Sequence, residues 1–247
     1  ISRNYKLMNY VRGSLDDDLS LELIEEFHLI VTNGINDEKY KPGYIRRDNG
    51  VEVQEIITGK VLHTPIDHHL LRSYVLRICE WVNTPHHTME GDKYIHPLIK
   101  ACVLHFFIGW LHLFHDGNGR TARGLFYWMM LKYGYSGFEY ISISKYIKRS
   151  AVSYGESYLN SEYDAFNLTY FIDYHLAQVE HGINGFLDFI SEQKKLLDYL
   201  KVDFSGIDDF KSENERVQKL IIYGLMRGGQ RYSINTIARY FDITYNT

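Results

Sequence analysis

Between His112 and Arg123 the chain reads HLFHDGNGRTAR, a stretch of residue types that together suit chemistry on phosphates. Gly117, Asn118 and Gly119 can take the positive-φ or close-approach backbone that turns successive N–H groups toward one point. A helix opening directly afterward adds unpaired N–H groups and the positive end of its dipole, so loop and helix start form an anion cradle. Arg120 and Arg123, three apart, share a face of the first turn, and both guanidinium groups can reach one polyphosphate. Asp116, at the mouth of the cradle, is a hard oxygen ligand suited to Mg²⁺ bridging phosphates. His112, at the end of the preceding helical stretch, titrates near neutral pH and is the candidate base. Taken singly, these features have plain readings: a turn, a structural histidine, a solvated pair of arginines. Their conjunction carries the argument.

The elements that must hold these residues read as helices. Only four prolines interrupt the chain, and between them apolar residues recur at spacings of three and four. One helix is expected from Leu19 to Val31 and another from Asp67 through HHLLRSYVLRICEWV. His96-Pro97 opens a long apolar helix through Ile99, Val103, Phe106, Phe107 and Trp110, which breaks at HDGNGR. A helix resumes at Thr121, and its apolar density marks it as a central element. Further helical patterns run from Ser144 to Tyr158, Leu168 to His181 and Gly185 to Leu200. Between Gly43 and His69 two β-favouring runs, VEVQEII and KVLHT, flank Thr58 and Gly59 and predict a hairpin ended by Pro65.

Composition narrows the class. The chain of 247 residues is 45% hydrophobic and 23% charged, which excludes a disordered chain and allows a substantial core. Lys and Arg total 27 against 31 Asp and Glu, a net charge of −4, so no global pull toward nucleic acid or anionic membrane exists. Cys79 and Cys102, the only two cysteines, sit in apolar helical patterns and read as buried reduced thiols. With no long apolar run and no signal-peptide core, a cytoplasmic protein without membrane contact is expected.

HLFHDGNGRTAR resembles the Fic motif, His-x-Phe-x-Asp/Glu-Gly-Asn-Gly-Arg-x-x-Arg, at all eight specified positions. The likeness extends to GYIR at Gly43 to Arg46, the hairpin near KVLHTP, EWVN at Glu80 to Asn83 and HPLIKACVLHFF at His96 to Phe107, covering about Leu19 to Glu180. Leu113 stands where many members have proline, at a position whose side chain is not catalytic in the family. The resemblance implies an all-α fold: a Fic-type helical bundle with a short β-hairpin flap, followed by a partial winged helix-turn-helix. On this reading residues 1–200 form the Fic domain, with its core at about 19–180. Residues 201–212 are a linker, and 213–247 begin the winged-helix-like region.

Residue by residue, the resemblance implies that His112 deprotonates a target hydroxyl, Phe114 anchors the loop in the core, and Asp116 holds Mg²⁺ or Mn²⁺. Gly117, Asn118 and Gly119 would grip the α- and β-phosphates of ATP, Arg120 the leaving pyrophosphate and Arg123 the terminal phosphate. The implied reaction is in-line attack by a protein Ser, Thr or Tyr hydroxyl on the α-phosphorus, leaving AMP on the target or on the chain itself. Lys60, Val61, Leu62, His63 and Thr64 match the family's flap, which aligns a target segment by main-chain pairing. Doc-type kinases of the family have lysine where this chain has Gly119, which favours nucleotidyl transfer.

Two other readings come from the residues. His68-His69, His86-His87 and His115-Asp116 raise an HD-type metal phosphohydrolase, although the His115-Asp116 dipeptide falls in a glycine turn and no zinc spacing appears. SINTIARYFDITYNT from Ser233 resembles the start of a winged-helix DNA-binding element, for which DNA or a second copy of the chain are the candidate partners. Many Fic proteins carry an inhibitory helix with Ser/Thr-x-x-x-Glu, whose glutamate pairs with the second motif arginine, here Arg123. No glutamate of this chain has Ser or Thr four positions before it. The brake is therefore expected upstream of Ile1, or on a separate antitoxin chain.

Overall fold

The computed structural model describes residues 2–32, 34, 41–55, 58–85 and 94–205. The chain divides into two compact units, Ile1–Ile183 and Asn184–Thr247, and every site residue discussed below belongs to the first. In order, the elements are α1 (Ser2–Gly13), α2 (Leu21–Thr32), β1 (Val53–Gln54), β2 (Val61–His63), α3 (His68–Asn83), α4 (Pro97–Leu111) and α5 (Asn118–Lys132). A 3₁₀ turn (Ser136–Glu139), α6 (Ile143–Arg149), α7 (Ala151–Tyr163) and α8 (Thr169–Ser205) follow. The fold is thus mostly helical with one two-stranded antiparallel hairpin among the described residues. No described helix is long and apolar enough to cross a membrane.

Local chemistry sets the helix starts. Asp67 caps α3 by accepting the His69 N–H at 2.8 Å, and Pro65 ends the extended stretch just before it. His96 caps α4 through Nδ1, which accepts the Leu98 N–H at 3.1 Å, and Pro97 fills the first helical position, where no N–H is needed. α3 buries one stripe, Leu71, Val75, Ile78, Cys79 and Val82, and leaves the other face to water.

α4 and α5 make the most extensive helix pair, and α1 and α2 close over α5. Leu125, Phe126, Trp128 and Met129 of α5 are fully buried, as the apolar density of the sequence requires of a central helix. α4 is buried on nearly every side and even takes Lys100 into the core. The Lys100 ammonium donates to the Val82 and Thr84 carbonyls at 2.6 and 2.9 Å, satisfying the end of α3, and burial pushes its pKa down. At Gly109 an added Cβ would collide with the Tyr158 hydroxyl oxygen, so α7 approaches the α4 backbone where a side chain has no room.

Several elements differ from expectation: the pattern at Ser144–Tyr158 forms two helices, α6 and α7, parted at Ser150, and α1 lies where no helix is expected. α5 begins at Asn118, not Thr121, because Gly117 at φ 83° supplies the capping conformation and the helix starts inside the glycine loop. The hairpin strands are shorter than the β-favouring runs. Val53 pairs with His63 and Gln54 with Val61, and an irregularity between Val53 and Gln54 ends regular pairing. The patterns at Leu168–His181 and Gly185–Leu200 form the single helix α8, which continues through Ser205 and so covers the first residues expected as linker. Residues 206–212 of that linker and the region 213–247 lie outside the described residues.

Candidate active site

α4 ends at Leu111 and His112 caps it in the left-handed conformation, φ 48° and ψ 60°. Leu113 and Phe114 then turn inward and are fully buried. The Asn118 side chain closes the loop: its Oδ1 accepts the Phe114 N–H at 2.9 Å and its Nδ2 donates to the Phe114 carbonyl at 2.6 Å. The amide of Asn118 is thereby taken up in bracing the turn, and what it can offer an anion is its backbone N–H.

His28 of α2 clamps the same loop from the other side. Its ring lies flat on Phe114, with centroids 3.6 Å apart. The Gly43 N–H donates to Nδ1 at 2.9 Å, so Nε2 carries the proton and donates to the Asp116 carbonyl at 2.8 Å. Burial pushes the His28 pKa down, consistent with this neutral tautomer. The fit is close: a Cβ on Gly117 would lie 2.6 Å from Thr32 Cγ2 and 3.2 Å from the His28 ring.

No side chain caps α5, and the first backbone N–H to find an intrahelical acceptor is that of Thr121, which donates to Gly117. The N–H groups of Asn118, Gly119 and Arg120 therefore face an open cavity of about 270 Å³, lined also by His112, His115, Asp116 and Arg123. Arg120 donates to Asp116 Oδ2 at 2.6 Å and to the Val31 carbonyl at 2.9 Å. Arg123 has no hydrogen-bond partner among the described residues, so its guanidinium is available to an incoming anion. It also borders a larger cavity of about 770 Å³ between α1, α2 and the 3₁₀ turn.

A second cavity of about 250 Å³ adjoins the first at His112, Asn118 and Gly119, and runs between the hairpin residues Val53, Leu62 and His63 and the α7 residues Tyr154, Tyr158 and Glu162. Burial, with His63 and the Arg46 guanidinium nearby, pushes His112 down to about 4, partly offset by the Gly109 carbonyl and the Asp116 carboxylate. Its imidazole is thus neutral at pH 7 and able to accept a proton. His63 latches the hairpin onto the bundle: Nδ1 faces Glu162 Oε2 at 3.0 Å and Nε2 faces the Trp110 carbonyl at 2.8 Å. Lys60, Val61 and Thr64 are exposed, and Leu62 and His63 turn toward the cavity.

Behind the second cavity lies a chain of buried polar groups. His175 Nδ1 donates to the Phe171 carbonyl at 3.1 Å, so its Nε2 accepts from His105 Nδ1 at 3.1 Å, and His105 Nε2 accepts the Tyr154 hydroxyl at 3.1 Å. Burial, reinforced by the Arg123 charge, holds His175 at about 4 and His105 well below the usual range.

The sequence motif is therefore assembled around one cavity, with Phe114 as its buried anchor. His28, Arg46 and Glu162 carry much of its support and have no role assigned from sequence; GYIR, which ends in Arg46, and the buried face of α2 are the available signals. The histidines invoked for a phosphohydrolase do not converge. His115 pairs with Asp48 at 3.1 Å while Asp116 pairs with Arg120. The one metal-capable group among the described residues is Asp67, His68 and His69, whose Asp67 carboxylate is engaged in capping α3. His86, His87 and the segment from Ser233 lie outside the described residues.

Comparison with known proteins agrees with this geometry. The model of the Fic/DOC family matches residues 18–130. Protein adenylyltransferase fic-1 of Caenorhabditis elegans is 29% identical over 119 residues, 48% of this chain and 20% of the relative. Protein adenylyltransferase Fic of Drosophila yakuba is 30% identical over 130 residues, 52% of this chain and 23% of the relative. The matches thus span about a fifth to a quarter of these relatives. Among solved structures, a Fic family protein from Desulfovibrio desulfuricans G20 aligns with a TM-score of 0.58 at 14% identity, over 97% of this chain and 62% of that one. Fic-1 from C. elegans aligns with a TM-score of 0.51 at 22% identity, over 76% and 50%. The uncapped helix start, the motif that builds it and the fold point the same way: residues 18–130 of this chain match the model of the Fic/DOC family, within a fold shared with solved Fic proteins.

Proposed function

We propose that the chain is a protein adenylyltransferase, transferring AMP from ATP to a Ser, Thr or Tyr hydroxyl of a target protein or of itself. The observation that carries this reading is the junction of the two cavities: open N–H groups at the start of α5 on one side, an apolar cleft on the other, and the neutral His112 at their border. A polyphosphate suits the first and a nucleoside suits the second. The names of the curated relatives point the same way.

In this mechanism the N–H groups of Asn118, Gly119 and Arg120 hold the phosphates by the end of the α5 dipole, and Arg123 takes the terminal phosphate. His112 accepts the proton of the target hydroxyl as its oxygen bonds to the α-phosphorus. The bond from that phosphorus to the bridging oxygen breaks, and pyrophosphate leaves. Asp116 fits a Mg²⁺ or Mn²⁺ site, because its carboxylate opens onto the cradle and only Oδ2 is bound by Arg120. When bound, the ion would supply charge neutralisation on the phosphates. The hairpin edge beyond β2, free of strand partners among the described residues, would receive the target segment. A carboxylate from an upstream inhibitory helix or an antitoxin would compete for Arg123 from the 770 Å³ cavity beside it.

The test is incubation with labelled ATP and a cell lysate, with mass spectrometry of the adduct. His112→Ala should lower transfer by roughly 10²- to 10⁴-fold and leave ATP affinity nearly unchanged. Excess EDTA should stop transfer. Full transfer by the His112→Ala variant would overturn the assignment.

A further inference from the structure

Arg46 is the one buried arginine among the described residues, at 2% exposure. A buried cation normally has a carboxylate partner, yet no ion pair forms here; Asp48 and Asp67 act on it only from a distance. Its five N–H donors instead meet five neutral oxygens. Nε donates to the His112 carbonyl at 2.9 Å, and Nη1 to the Asp48 carbonyl and Asn49 Oδ1 at 2.8 and 3.2 Å. Nη2 donates to the Ile66 and Leu111 carbonyls at 2.5 and 3.5 Å. The Arg46 backbone N–H donates to the Leu113 carbonyl at 2.8 Å.

The identity of these acceptors is informative. Leu111, His112 and Leu113 are consecutive at the exit of α4, where helix carbonyls lose their intrahelical donors and the dipole favours a cation. Asp48 and Asn49 precede the hairpin and Ile66 follows it. A single planar fork therefore ties the turn that carries His112 to both ends of the hairpin. His112 occupies the left-handed region without being glycine, a conformation that persists when surrounding contacts hold it.

We propose that Arg46 is a positioning residue for proton transfer at His112, holding the exit turn of α4 so that the imidazole keeps its place between the cradle and the hairpin. The proposal rests on the adenylyltransferase reading for its kinetic arm. Arg46 touches neither cavity wall where substrate would bind, so its effect must pass through His112 and the hairpin.

Arg46→Lys keeps the cation but can serve at most three acceptors, whereas Arg46→Met removes cation and fork together. Three readouts apply to each variant: transfer rate at saturating ATP, ATP affinity, and the His112 ring resonances followed by NMR across pH. Both variants should lose roughly 10²-fold in rate with ATP affinity held within about 2-fold, as misplacement of a reacting group predicts. The His112 ring shift should change in both. Its titration midpoint should rise only in Arg46→Met, since a positive neighbour is lost while His63 and Asp116 stay. Wild-type rate in Arg46→Lys, or a loss of rate matched by loss of ATP affinity, would overturn the proposal. If the unaltered chain transfers no AMP at all, the functional reading fails; the NMR arm still decides, since unchanged His112 resonances in both variants would refute the positioning role. If Arg46→Met does not fold, the Arg46→Lys results stand by themselves.

Discussion

Replacing Gly117 by alanine tests whether the cradle depends on a backbone that only glycine holds without strain. Two separable penalties follow from the structure. Gly117 sits at φ 83°, where an L residue is strained by about 1–2 kcal/mol. The new Cβ would also lie 2.6 Å from Thr32 Cγ2 and 3.2 Å from the His28 ring, an overpacking that costs about 1–3 kcal/mol. The sum, about 2–5 kcal/mol, should appear in urea denaturation as a lowered midpoint with unchanged slope. Thr32→Ser removes the offending methyl and keeps the hydroxyl that donates to the His28 carbonyl at 2.6 Å. In that background Gly117→Ala should lose most of the collision penalty and retain the backbone strain, a coupling of about 1 kcal/mol or more. Affinity for ATP should fall in both backgrounds, because the residual strain acts on the N–H groups that open α5. Equal stability of Gly117→Ala and wild type, or a penalty that Thr32→Ser leaves untouched, would refute the reasoning.

Two further outcomes concern the scaffold. Lys100→Met should destabilise the chain by about 2 kcal/mol, because the carbonyls of Val82 and Thr84 lose a charged donor inside the core; a variant as stable as wild type in chemical denaturation would contradict this. His105, His112 and His175 are held neutral in the fold, their pKa values depressed below the usual 6.5. For His112 and His175, held at about 4, that contribution to stability is complete above about 6.5 and is lost as pH falls toward about 4, at up to ~1.4 kcal/mol per pH unit for each, and His105 acts in the same direction. Denaturation midpoints at pH 7.5 and pH 5 check this, and equal midpoints would count against it.

The motif was legible because its geometry is local. His112, the glycine loop and the arginines lie within one helix-turn-helix segment, so spacing alone brings them to one cavity. The supports were not legible, since each reaches across the chain: His28 meets Asp116 over 88 residues, Arg46 meets His112 over 66, and His63 meets Glu162 over 99. Sequence periodicity carries no information at such separations. The start of α5 was misplaced for a different reason. Asn118 and Gly119 are poor helix formers, and only the capping geometry of Gly117 shows that the helix already contains them. In α8, Gly182 falls between the two expected patterns and Gly185 opens the second, but an isolated glycine costs only about 1 kcal/mol in a helix and need not end one.

The left-handed turn at His112 has a mechanical consequence. The imidazole and the open start of α5 are joined by one short backbone segment, Leu113 to Gly117, whose middle is pinned by Asn118 and by the flat stack of His28 on Phe114. The span between histidine and helix start is therefore set by five residues of chain and the contacts that pin them, of which the His28 stack comes from α2. The hairpin is a separate attachment, fastened at its roots by Arg46 and along β2 by His63. Because these fastenings lie at the roots and inner face of the hairpin, its exposed residues Lys60, Val61 and Thr64 can be rewritten by substitution without touching the contacts that set the distance on which the chemistry depends.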